Sequence, residues 1–207
     1  IMSDIRKMSD ESAPMSVHFL ETDDTSWASV GKYDPFFKDV KLIDTAEEFA
    51  AKIKKDRVLS GLDVANYIIS LRPCTHLSLE KLVYFSYADY LCSHSKRLFE
   101  DTIYAFTHGP VISSVYEAYK RSGYDYVKPP QYDKDNEDLL NRSVKMPVRS
   151  RILFAENGID KLCSIEKTVK KYGKFSAFEL VDLTHRDGSP WSKVDSNKYY
   201  TVIVQFQ

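Results

Sequence analysis

Cysteine is scarce: Cys74, Cys92 and Cys163 are the only three in 207 residues. An odd, widely spaced set is no disulfide framework and points to reduced thiols in a cytoplasmic setting. Glycine (7) and tryptophan (2) are also few. The chain has no P-loop, no GxGxxG, no GxSxG and no HExxH, so the motif-borne nucleotide, hydrolase and metalloprotease chemistries have no foothold. No apolar run reaches the roughly 18–20 residues that a membrane helix needs. Neither sign of charge dominates, with 29 basic and 30 acidic residues and a net charge of −1. That balance counts against a dedicated nucleic-acid binder and against a polybasic membrane anchor. The N-terminus is polar and acidic and lacks the apolar segment of a secretory signal; Met2 is expected to be the native start. No stretch repeats at a fixed period, which excludes a solenoid.

What is present is an ordinary globular composition, 43% hydrophobic and 29% charged, of a length that suits one domain with an appendage. Tyrosine is the excess, at 14 residues. Its apolar body and polar tip suit half-buried positions and interfaces. Residues 1–24 carry six acids against Arg6 and Lys7 and are expected to form a mobile acidic arm. Trp27, Tyr33, Phe36 and Phe37 follow around Asp34-Pro35. They read as anchors that pin the arm to the main body, with a partner-binding linear motif as the rival.

Helices are expected where capping residues meet helical spacing. Thr45 and Glu48 make a capping box before Ala46, Phe49, Ala50 and Ile53, and Ser60 and Asp63 open a second helix that Pro73 ends. The third, about 78–95, is apolar nearly all round, which marks the central helix of a bundle and assigns Tyr84, Tyr87 and Tyr90 to the core. Residues 103–107 alternate weakly, as a short strand does. Gly109 and Pro110 then read as a helix start, with Gly123 as its C-terminal cap. An acidic connection, 124–141, follows; Tyr124, Tyr126 and Tyr132 on it are candidate interface residues. Residues 145–154 suggest a second short strand and 157–172 an amphipathic helix. Ser176 and Glu179 box a last helix to about His185, and 199–206 reads as a C-terminal strand. The fold class is mainly α: a compact helical bundle around the central apolar helix, with a few short β-strands.

Three constellations invite chemistry. Cys74/His76 and Cys92/His94 have i, i+2 spacing, which on a helix points the two side chains about 200° apart, so metal ligation is not expected. His185, Arg186 and Asp187 follow a helix and suit acid–base work, but equally a dipole-facing His and a turn. Between Lys145 and Lys174 there are eight basic residues against three acidic. Lys161, Lys167, Lys170, Lys171 and Lys174 are expected mostly on the polar side of one helix, as a solvated face or a phosphate-contacting one.

Several segments together resemble one family. They are 62–68 (LDVANYI), 79–85 with Lys81, Leu82 and Tyr84, 98–101 (LFED), His108-Gly109-Pro110-Val111 with Tyr116, Ser176 to Leu180, and Leu183 to Trp191 with Thr184, His185, Pro190 and Trp191. Their order and spacing look like the Panacea, or SocA-like, antitoxin domain, also met in phage-associated proteins, over about 62–194. The family often has Trp where this chain has Phe106, and an aromatic where it has His108. The resemblance implies a non-enzymatic module that neutralises a cognate protein toxin by direct binding, or delivers it to a protease as an adaptor, with no cofactor, metal or catalytic residue. The motif residues are then mostly scaffold, with Trp191 after Pro190 as a core plug rather than a stacking platform. Residues 1–58 are an N-terminal extension (arm plus one helix) and 59–207 the Panacea-like domain. Two alternatives stand beside this reading: a phage or mobile-element regulator binding nucleic acid through the basic stretch, and an enzyme using His108 or His185.

Overall fold

The computed structural model describes residues 2–9, 12–38, 40–128 and 148–194. They fall into two compact units, 2–57 and 58–128 with 148–194.

The larger unit is mainly helical and is built on one helix. Thr75 caps it by accepting the Ser78 N–H, and the helix runs His76–His94, starting two residues before the expected position because the cap is Thr75. Ser95 ends it in the left-handed region, at φ 54°. In chain order this is α5; α4 is Gly61–Leu71, α6 is Ser113–Tyr119, α7 is Val148–Phe154, α8 is Gly158–Tyr172 and α9 is Ala177–His185. α4, α6, α8 and α9 all pack on α5. Leu79, Leu82, Val83, Tyr84, Tyr87 and Tyr90 are buried on it, the last at 1% exposure, so the central-helix reading and its core tyrosines are borne out. Full capping boxes, with both reciprocal hydrogen bonds, open α4 at Ser60/Asp63 and α9 at Ser176/Glu179.

Two local expectations are corrected. Gly109-Pro110-Val111 does not start a helix. Strands β1 (Ile103–Phe106) and β2 (Gly109–Ile112) pair antiparallel, with Phe106 opposite Gly109 and Ile103 opposite Ile112. Gly109 at φ +93° permits the reversal; Pro110 and Val111 then extend, and the helix begins only at Ser113. Residues 148–154 form helix α7 rather than a strand. Ile152 is its inward anchor at 0% exposure, and it packs between α4 and α8. Pro129-Pro130, Tyr132, Lys145 and the expected strand 199–206 lie outside the described residues.

In the smaller unit the acidic segment carries a short helix of its own beside the expected one. α1 (Met2–Met8) and α3 (Ala46–Asp56) pack together. Ile5, Ala13 and Ile53 form a small buried cluster with Met2, Met15 and Ala46 against it. Enough apolar side chains recur in the acidic segment to cover one stripe of α3. α2 (Trp27–Tyr33) is capped by Ser26, and a 3-10 turn, Pro35–Phe37, is capped by Asp34.

Candidate functional site: the junction of α5, the hairpin and α9

Two charged residues sit in the middle of the apolar helix. Glu80 is 2% exposed and Lys81 0%. Burying a charge is costly unless it is paired and hydrogen-bonded, and β2 supplies the partners. Lys81 Nζ donates to the Pro110 carbonyl at 2.8 Å, and the Ile112 N–H donates to Glu80 Oε2 at 2.9 Å. The other Glu80 oxygen lies 3.3 Å from His76 Nε2. Two neighbouring side chains of α5 therefore satisfy the edge of β2 as a third strand would. Burial pushes the Lys81 amine down to about 8, against the pull of the Glu80 carboxylate beside it.

α9 closes the junction from the other side. Thr184 is buried, its hydroxyl donating to the Val181 carbonyl at 2.7 Å. A Cβ on Gly109 would stand 2.5 Å from Thr184 Oγ1 and 3.2 Å from Lys81 Cε, so only glycine lets the hairpin tip approach. Ser189 Oγ donates to the Thr184 carbonyl at 2.8 Å and turns the chain toward Trp191. The Trp191 indole N–H then donates to the Phe106 carbonyl at 2.8 Å, and its ring stacks on His185 with centroids 3.7 Å apart. Trp191 is half-buried rather than a fully buried plug. Burial first, and then the nearby Lys81 ammonium, hold His185 below the usual histidine value, against Asp182. Its Nε2 is buried without a hydrogen-bond partner among the described residues.

Lys81, Gly109, Pro110, Thr184, His185 and Trp191, scattered over the sequence, are thus one junction. Val111 is buried in β2 beside it, while Leu82 and Tyr84 are buried elsewhere along α5. Pro190 and His108 are exposed. The sequence reading missed Glu80, although two adjacent charges inside an all-round apolar helix are the mark of a buried polar pair. Nor did it find the ring of His76, Tyr116 and Phe106, whose centroids lie 5.6 and 5.3 Å apart in turn.

The profile of the family described as "Antitoxin SocA-like, Panacea domain" matches residues 79–192, which is more than half of the chain and spans this whole junction. The chain belongs to that family. It is 28% identical over 125 residues to a protein named Antitoxin SocA from Caulobacter vibrioides (strain NA1000 / CB15N), covering 59% of this chain. The chain spans 60% of the length of that curated relative. No solved structure matches it.

The other candidates around the Panacea domain behave differently. Trp27 and Phe37 pack edge-on at 6.3 Å and Phe36 and Phe37 at 5.3 Å. These aromatics are therefore one another's packing partners, and Tyr33 and Phe36 stay 66% and 71% exposed. Tyr124 and Tyr126 are 95% and 68% exposed, beside an antiparallel bridge that joins Tyr126 to Thr75. The basic helix is not a uniform solvated face. Lys161 is 8% exposed, its amine 5.8 Å from the Tyr90 ring centroid. Lys167 bonds Asp89 at 2.8 Å. Cys74 is buried and Cys92 and Cys163 are exposed, all as free thiols. No helix of the described residues is long and apolar enough to cross a membrane.

Proposed function

We propose that this protein is an antitoxin that neutralises a cognate protein toxin by direct binding. Membership of the Panacea family over 79–192, with the likeness to Antitoxin SocA, carries the reading. The junction supports a scaffold role for the motif residues: the Lys81 amine is closed over by Gly109 and Thr184 and holds β2, so it has no free face for a substrate. In this reading the module is not an enzyme and uses no cofactor. Partner choice falls to exposed aromatic side chains, Tyr33 and Phe36 on the extension 1–58 and Tyr124 and Tyr126 on the domain, since such residues dominate interface energetics. Delivery of the toxin to a protease is a variant of the same activity, and the cytoplasm is its setting. The nucleic-acid alternative is weakened because Lys161 is turned inward and Lys167 is paired.

Co-expression with the product of the adjacent gene tests this. Rescue of growth together with a co-purifying complex is the expected result. The absence of both rescue and a complex, for every neighbouring gene product, would overturn it. A gel shift on the protein's own promoter that survives physiological salt would favour the regulator instead.

A further inference from the structure

His185 occupies a position that a neutral ring tolerates and a charged ring does not. Its Nε2 is buried with no hydrogen-bond partner among the described residues. A bare nitrogen lone pair there is compatible with the nearby Lys81 ammonium, whereas a second N–H⁺ would be both unsatisfied and repelled. This tautomer, with the proton on Nδ1, follows from the surroundings. The titratable groups that act on the ring are Lys81 from α5, His108 from the hairpin turn and Asp182 from α9. Of these only Asp182 favours the cation, and its side chain is exposed to solvent. Glu80, the buried carboxylate of the junction, is already engaged by the Ile112 N–H and by His76. The same imidazole forms the platform on which the Trp191 ring lies, and Trp191 in turn bonds the hairpin at Phe106.

We propose that His185 is an acid-sensitive latch whose protonation releases Trp191 from the β1–β2 hairpin and loosens the closure of α9 over the junction. The direction follows from linkage. Burial and Lys81 lower the pKa of His185 in the folded protein from its ordinary 6.5. Closure is therefore complete above that value and weakens as pH falls below it, because the open form takes up the proton more readily. This inference is independent of the toxin-binding reading.

The test uses the full chain carrying Trp27→Phe, which leaves Trp191 as the sole tryptophan. Acrylamide quenching of Trp191 is followed from pH 7.5 to 5.0, with far-UV circular dichroism to confirm that the helices persist. The quenching constant is expected to rise at least twofold below pH 6.5, to stay flat when His185→Gln is added, and to rise as before with His108→Gln. A flat profile with His185 present, or the same rise with His185→Gln, overturns the proposal. Should His185→Gln fail to fold, the NMR titration of the His185 ring proton supplies the second measurement. Its midpoint must coincide with that of Trp191 exposure, and a clear mismatch overturns the proposal.

Discussion

At Gly109 two penalties coincide. A Cβ there would meet Thr184 Oγ1 at 2.5 Å, and the backbone sits at φ +93°, where side chains are strained. Strain contributes about 1–3 kcal/mol and overpacking a similar amount, so Gly109→Ala is expected to destabilise the fold by about 2–6 kcal/mol in urea unfolding. A loss below about 0.5 kcal/mol, within the range of a neutral surface change, would mean that α9 does not close on the hairpin as described. Lys81 allows a test by pH. Its folded value is about 8 and its ordinary value 10.5, so between those limits the unfolded chain binds more protons and stability rises with pH. From pH 8 to 10 the rise attributable to Lys81 is about 2 kcal/mol. It should disappear in Lys81→Met when unfolding is measured across that window. Cys74, Tyr67, Tyr84, Tyr87, Tyr90 and Tyr119, whose burial raises their pKa values, act in the opposite sense within the same window, so the contribution of Lys81 is read as the difference between the wild-type and Lys81→Met profiles.

Helix ends were the most legible feature of the chain, because a cap is a local contract between residues three apart. Ser60 accepts the Asp63 N–H and Asp63 accepts the Ser60 N–H. Ser60→Ala is therefore expected to lower stability by about 1 kcal/mol, read as a drop in Tm, and Ser60→Asp to restore much of it. An unchanged Tm for Ser60→Ala would show that tertiary packing alone fixes the start of α4. The hairpin was misread for the converse reason. Pro after Gly is as suited to a helix start as to an extended strand, and the decision rests on Glu80 and Lys81, about 30 residues away, which take up the backbone of β2. Lys161 was misplaced in the same way: its spacing leaves it near the boundary of the polar face, and the Tyr90 ring, which holds it, belongs to another helix. At Trp191 the motif marked the right residue but overstated its burial. A half-buried indole with one hydrogen bond predicts a loss of about 2 kcal/mol for Trp191→Ala, below the 3–5 typical of a fully buried ring. A loss above about 4 kcal/mol would restore the core-plug reading.

On the scale of the whole molecule, the two units differ most in what they bury. The core of the larger unit runs from Leu59 to Leu180 and includes many side chains of essentially zero exposure, such as Val64, Leu79, Ile112 and Ile165. The cluster of the smaller unit rests on Ile5, Ala13 and Ile53. Two buried isoleucines supply roughly 3–6 kcal/mol, while ordering each residue of α1 and α3 costs about 1–2 kcal/mol in backbone entropy. The ion pairs Lys52–Asp56 and Lys32–Asp23 there are exposed and add little. Native-state hydrogen exchange is therefore expected to show amides of α1 and α3 opening at least tenfold more readily than those of α5, a gap of about 1.4 kcal/mol or more. Equal protection would mean that this segment draws its stability from a surface beyond its own cluster. The distinction bears on the proposed antitoxin. A loosely held segment that carries Tyr33 and Phe36 would be ordered on contact with a partner and so give up part of its binding energy, whereas a rigid one would present those rings ready-made. Repeating the exchange measurement on the complex with the toxin, once it is in hand, separates the two: newly gained protection confined to α1–α3 marks the first case, and unchanged rates there mark the second.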